Sequence, residues 1–231
     1  HPSLTRPLKN LILKRVMVRS IPLHQQGMLQ GMIDLEKFLP ELGEKTRLIL
    51  LSHINNHSGT VLPLGELLPQ IKKVAPKAHV HVDAVQSFAR LPLEAKKWEL
   101  DSATISGHKL GGPKGIGGFY FSKQAEIDAW MVGGEQEEGW RASTQAAPMI
   151  FAFDLAVKES IANRQAHNQR HFEINSYLRK RLASLSTLVL MPFSAEFSSP
   201  HILTFVVPDF PSDMLIRHLE MKHIFLSTSS A

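Results

Sequence analysis

Ser106-Gly107-His108-Lys109 closes an apolar stretch and runs into Gly111-Gly112-Pro113-Lys114-Gly115-Ile116-Gly117-Gly118. The lysine stands where a strand should end, among a hydroxyl, an imidazole and bare backbone N–H groups, the donors that a phosphate needs. An acid, Asp83 of His81-Val82-Asp83-Ala84-Val85-Gln86-Ser87, precedes it by 26 residues. A lysine amine condenses with an aldehyde, and a carboxylate keeps a pyridine nitrogen protonated so that the ring accepts electrons. Carbonyl chemistry on pyridoxal 5'-phosphate (PLP) requires that pair. On this reading Lys109 and Asp83 converge on opposite ends of one aromatic aldehyde.

Each of these residues also has a plainer reading. Lys109 alone is a lysine at a strand end; only burial, which favours the neutral nucleophilic amine, would set it apart. The glycine-rich stretch serves as a tight turn. It lacks the G-x-x-x-x-G-K-[ST] order and the G-x-G-x-x-G spacing, so it is not a nucleotide loop. His79, His81 and Asp83 lie two apart on one strand and share a face, which makes them candidate metal ligands of an H-x-H-x-D metallohydrolase. Ala84 stands where such a motif usually carries another histidine, and histidines packed under helices are the plainer reading. Asn55 and Asn56 follow an apolar strand at its C-terminal end, where open α/β sheets place ligands. Amides there suit a phenolate oxygen or a substrate carboxylate, and equally suit a turn. His167 and His171 have a zinc-compatible i, i+4 spacing, but their Asn, Gln and Arg neighbours fit a solvated helix face.

The elements that must position these groups alternate. Apolar spacing predicts a helix over residues 4–15, a strand over 16–23 and a short helix begun by Asp34 and running to Leu42. The run Leu48-Ile49-Leu50-Leu51 predicts a buried parallel strand over 46–52. A helix over 65–74 and strands over 79–84, 101–106 and 116–122 follow. This alternation predicts an α/β domain with a mainly parallel sheet. Residues 146–185 hold few helix breakers and read as largely helical. Strands over 187–191 and 202–207, a helix over 211–222 with proline in its first turn, and a last strand over 224–226 complete the chain. Residues 1–160 are thus expected to form a large domain and 161–231 a smaller α+β domain.

The chain has 231 residues, 43% of them hydrophobic and 20% charged, enough apolar surface for a substantial core. No apolar run approaches the roughly 18–20 residues that span a bilayer, and the start shows no signal-peptide pattern, so a cytoplasmic location is expected. The net charge of +5 comes from scattered lysines and arginines mixed with acids, as in Glu94-Ala95-Lys96-Lys97-Trp98-Glu99. That pattern is an ordinary solvated surface rather than a nucleic-acid track. With no cysteine in the chain, disulfides and cysteine metal sites are excluded within it.

Taken in order, four segments resemble the motifs of PLP-dependent cysteine desulfurases, in the class V aminotransferase group of fold type I enzymes. They are Ser52-His53-Ile54-Asn55-Asn56, His81-Val82-Asp83-Ala84-Val85-Gln86-Ser87, Ser106-Gly107-His108-Lys109 with its glycines, and residues 133–144. The last, Gly133-Gly134-Glu135-Gln136-Glu137-Glu138-Gly139-Trp140-Arg141-Ala142-Ser143-Thr144, is similar to the GGGQERGxRSGT segment of the branch serving iron–sulfur clusters and thiolated tRNA. The resemblance implies a PLP-binding large domain, a small C-terminal domain, a homodimer, L-cysteine as substrate and a sulfur-acceptor protein as partner.

It also implies roles. Lys109 would be the Schiff-base lysine and the base, Asp83 the partner of the pyridine nitrogen, and Gln86 a donor to the phenolic oxygen. Ser106 and His108 would hold the phosphate, with Thr144 reaching it from a partner subunit. Asn56, with Asn55, would contact substrate and ring oxygen, and His1 matches the histidine that stacks on the ring and shuttles protons. The family's phosphate-binding G-G-T-E segment would precede His1. Leu226-Ser227-Thr228-Ser229-Ser230-Ala231 resembles the run into the catalytic cysteine, which would follow it, so the chain is expected to be incomplete at both ends. Ser143 replaces the usual glycine and Val85 a common threonine. The alternative is another class V chemistry, such as that of an aminotransferase or selenocysteine lyase, with the same cofactor and a different second half-reaction; the residue after Ala231 would discriminate, since a desulfurase needs a thiol there.

Overall fold

The computed structural model describes residues 1–25, 27, 29–191 and 196–228. Ser229, Ser230 and Ala231, the end of the run that resembles the approach to a cysteine, lie outside the described residues. The helices are α1 (Pro2–Leu13), α2 (Leu35–Phe38), α3 (Leu64–Val74), α4 (Ala147–Ala162), α5 (Arg164–Leu182) and α6 (Ser212–Glu220). Four strands, β1 (Leu48–Ser52), β2 (His79–Asp83), β3 (Ser102–Ser106) and β4 (Gly117–Phe121), lie side by side in that order. The first three are parallel and β4 runs antiparallel to β3. The mainly parallel α/β sheet expected from the alternation is present.

Register decides what each face of this sheet carries. Ser52 pairs with Asp83 and Asp83 with Thr104. Ile49, Leu51, Val80, Val82 and Ala103 therefore share one face, and all are buried. Its opposite face carries His79, His81, Asp83, Ser102, Thr104 and Ser106. In α3 the buried Leu64, Leu67, Leu68 and Ile71 follow the i, i+3, i+4, i+7 stripe of a half-buried helix. Lys72 of α3 reaches Asp101 at 2.6 Å and donates to the Ala78 carbonyl, while Asp101 also accepts from the Val80 N–H. This fixes the entry of β3 against that of β2.

The glycine-rich link turns the chain sharply, so β4 returns antiparallel. Gly111 has a φ of +80°, a conformation favouring glycine, and a Cβ on Gly117 would lie 2.5 Å from the Ile105 carbonyl oxygen. The strand expected over 16–23 does not form. Val16 and Met17 are exposed and only Leu23 pairs, with Ile33. Residues 224–226 are likewise exposed and outside any strand: an apolar run without a paired edge has no ladder to join. Asp34 does cap α2, accepting from the Lys37 N–H.

Two compact units emerge. One comprises Leu42–His53 and Pro63–His167 and holds the four-stranded sheet, α3 and α4. The other comprises His1–Glu41, Ile54–Leu62 and Asn168–Ala231 and holds α1, α2, α6 and an antiparallel pair, β5 (Val189–Met191) and β6 (Thr204–Val206). Within the latter, buried Asn175 of α5 donates to the Pro200 and Ile202 carbonyls and accepts from Arg179, which also reaches the Met191 carbonyl and Ser198. Among the described residues no helix is long and apolar enough to cross a membrane.

Candidate active site

Parallel pairing of β2 and β3 sends both strands toward the same sheet edge. Asp83 is the last residue of β2, and Thr104 and Ser106 lie on its face of β3. Directly after Ser106 a single 3₁₀ turn, Gly107–Leu110, carries His108 and Lys109. The acid, the hydroxyl, the imidazole and the amine thus issue from neighbouring C-terminal strand ends, where ligands of open α/β sheets bind.

Local hydrogen bonds orient each group. Asp83 Oδ1 accepts from the Val85 N–H at 3.0 Å, and among the described residues its other oxygen has no hydrogen-bond partner. Ser106 Oγ and His108 Nδ1 are 2.9 Å apart, a hydroxyl–imidazole pair able to turn protons toward an anion. Gln86 sits in a helical turn after β2, where the Phe88 N–H bonds the Ala84 carbonyl and the Leu91 N–H the Ser87 carbonyl. Lys109 is half-buried and its carbonyl accepts from Arg90 at 2.6 Å.

Behind Asp83 the same face is lined with neutralised imidazoles. His79 Nε2 and His81 Nδ1 approach the buried Ser102 hydroxyl at 2.6 and 2.8 Å. The His81 ring stacks on Phe119 with centroids 6.0 Å apart. Burial holds both histidines below the ordinary imidazole range, and the Asp83 charge partly opposes this at His81. The metallohydrolase alternative is corrected here: His79 and His81 converge on a serine hydroxyl. Among the described residues no three His, Asp or Glu side chains stand close enough to hold a metal ion. His53, directly after β1, is buried with its ring T-shaped to that of Trp98, its Nδ1 has no hydrogen-bond partner among the described residues, and desolvation pushes its pKa down to about 4.

Asn55, Asn56 and His1 belong to the other unit. Asn55 Oδ1 accepts from the His57 and Ser58 N–H groups at 2.9 and 3.0 Å, so that oxygen serves a turn. Asn56 differs: its Nδ2 is buried and, among the described residues, has no hydrogen-bond partner, an orphaned donor. His1 is exposed and caps α1, its Nδ1 2.8 Å from Ser3 Oγ. Thr144 is exposed and its carbonyl accepts from Arg141. His167 and His171 are exposed on α5, with the His171 ring 6.4 Å from that of His201.

This donor set fits PLP. A carboxylate oxygen without a hydrogen-bond partner among the described residues, an amine and a hydroxyl–imidazole pair, all within one unit, are the groups its ring nitrogen, aldehyde and phosphate call for. Sequence reasoning missed Arg90, which bonds both Gln86 and Lys109. Its only signal was a cation at i+4 from Gln86, one helical turn on.

The chain is similar to known proteins. The aminotransferase class-V family model matches residues 1–230. A Bacillus subtilis protein described as putative cysteine desulfurase IscS 1 is 32% identical over 201 residues, 87% of this chain and 52% of the relative. A Nostoc protein described as cysteine desulfurase is 31% identical over 182 residues, 79% of this chain and 44% of its own length. Among solved structures, one described as a NIFS-like protein superposes with a TM-score of 0.90 at 30% identity, covering 99% of this chain and 61% of that one. The chain spans about half the length of the curated relatives it matches.

Proposed function

From the premise that this chain belongs to the class-V aminotransferase family, we propose that the protein containing it is a PLP-dependent cysteine desulfurase. It takes sulfur from L-cysteine, leaves L-alanine, and passes the sulfur through an enzyme persulfide to an acceptor protein. The observation that carries the reading is the issue of Asp83 and the Ser106–Lys109 turn from adjacent parallel strand ends. The descriptions of the relatives support the choice of chemistry.

PLP supplies, when bound, an electrophilic aldehyde and a ring that takes up electrons. The chain's own residues do the rest. Lys109 Nζ would hold the cofactor and serve as the base for the substrate Cα proton. Asp83, with Oδ1 tethered to the Val85 N–H, would use its other oxygen to keep a proton on the ring nitrogen. Gln86 Nε2 would donate to the phenolic oxygen. Ser106 and His108 would bind the phosphate, joined by Thr144 across a homodimer. Asn56, with Asn55, would contact substrate or ring oxygen, and His1 would serve the ring and relay protons. Sulfur is received by a cysteine outside this cysteine-free stretch of 231 residues. The same reading assigns residues 1–160 to the cofactor domain and 161–231 to the small domain. It places the protein in the cytoplasm, serving iron–sulfur clusters or tRNA thiolation without binding nucleic acid or membrane itself.

The test uses the intact protein with PLP, L-cysteine and a dithiol reductant, which reduces the persulfide and releases its outer sulfur as sulfide. Alanine and sulfide should form in equal amounts, borohydride should fix the cofactor on Lys109, and Lys109→Ala should lose the near-visible absorption. An unchanged spectrum in Lys109→Ala, or keto-acid formation in place of alanine, overturns the proposal.

A further inference from the structure

Arg90 belongs to none of the four motifs' assigned roles, yet it joins two of them. Its Nη1 donates to the Gln86 carbonyl and to Gln86 Oε1, each at 3.1 Å, and its Nη2 donates to the Lys109 carbonyl at 2.6 Å. A guanidinium is planar, rigid and donor-only. The end of the Gln86 amide that faces it must therefore be the oxygen, and the Nε2 donor is turned away from Arg90. Among the described residues that Nε2 meets no acceptor. Pinning the Lys109 carbonyl also limits rotation of the peptide from which the amine projects. The backbone invests strain to achieve this: Ala89, buried and directly before Arg90, adopts a φ of +59°.

We propose that Arg90 is a positioning residue that selects the donor end of Gln86 for the cofactor's phenolic oxygen and holds the Lys109 turn in register with it. The inference rests on the PLP reading above. Without Arg90 the Gln86 amide is free to present its oxygen, which an anionic phenolate repels. Arg90 itself acts through Gln86 and the Lys109 backbone.

The experiment measures the absorption maximum of the lysine-bound cofactor, its pH midpoint and the PLP dissociation constant in the intact protein. Wild type, Arg90→Met, Gln86→Ala and the double variant are compared. Arg90→Met is expected to displace the maximum and midpoint and to weaken PLP by about tenfold, the value of one hydrogen bond to a charged group. In the Gln86→Ala background the Arg90→Met spectral displacement should shrink to the part that comes from the Lys109 turn alone. Arg90→Lys keeps charge and stem but not the fork, and should show the same displacement where Arg90→Met does not fold. A wild-type spectrum and affinity in either Arg90 variant, or spectral displacements that add in the double variant, overturn the inference. Borohydride labelling of wild type separates the two levels. Label on Lys109 with an unaltered Arg90 variant overturns only the Arg90 role, whereas absence of label overturns the PLP reading and the Arg90 role with it.

Discussion

Acid should begin to destabilise this fold through His53 as the pH falls below about 6.5. The ring is 4% exposed, touches the edge of Trp98 and leaves Nδ1 without a partner, and burial lowers its pKa from 6.5 to about 4. A histidine held neutral in the fold costs nothing above pH 6.5, where the unfolded chain is neutral too. Below it the unfolded chain gains a proton that the folded one refuses, so stability falls as pH drops from about 6.5 to about 4. Integrated between those values, the loss is about 2 kcal/mol at pH 5 and about 3 kcal/mol at pH 4. His79 and His81 are shifted the same way and add to the total, so the measurement must be a difference. His53→Phe keeps a ring against Trp98 and removes both the titration and the orphaned nitrogen. Thermal unfolding of wild type and variant at pH 7.5 and pH 5 gives the comparison. The wild-type loss should exceed the variant's by about 2 kcal/mol, or about 4–8 °C in Tm for a domain of this size. Equal losses in the two proteins would refute the argument that His53 stays neutral in the fold.

Two other substitutions probe the backbone at the site. Ala89→Gly relieves a φ of +59° and should raise stability by about 0.5–1 kcal/mol, seen as a higher Tm with unchanged PLP affinity. Gly117→Ala would bring a Cβ to 2.5 Å from the Ile105 carbonyl oxygen; separating β4 from β3 should cost about 1–3 kcal/mol and lower the Tm accordingly.

Much of the frame was legible because its period and its chemistry coincide. Leu64, Leu67, Leu68 and Ile71 announce a helix face, and Val80 and Val82 between His79, His81 and Asp83 announce a strand with one wet side. What escaped depended on partners. Val16 and Met17 have strand-like chemistry but no neighbouring edge, and the antiparallel course of β4 follows from the tight glycine link rather than from its own residues. Asn55 and Asn56 are alike in sequence. Only the turn separates them, engaging one amide oxygen and stranding the other residue's nitrogen. The role of Arg90 is legible only from where its donors go, to Gln86 and to the Lys109 carbonyl.

That last case bears on why the reactive groups sit where they do. A parallel pair delivers two strand ends to one edge at fixed spacing, so the sheet ladder places Asp83 beside Thr104, and Ser106 by its pairing with Gly117. Gln86 and Lys109 lie beyond the sheet, in turns that a ladder cannot hold. A donor-only group between the turns supplies the missing constraint, and it can bridge them only if the chain bends back at Ala89. The positive φ at that residue thus extends the sheet's rigidity into its loops, and a residue held to the ordinary negative φ there would leave the amine and the amide to move independently.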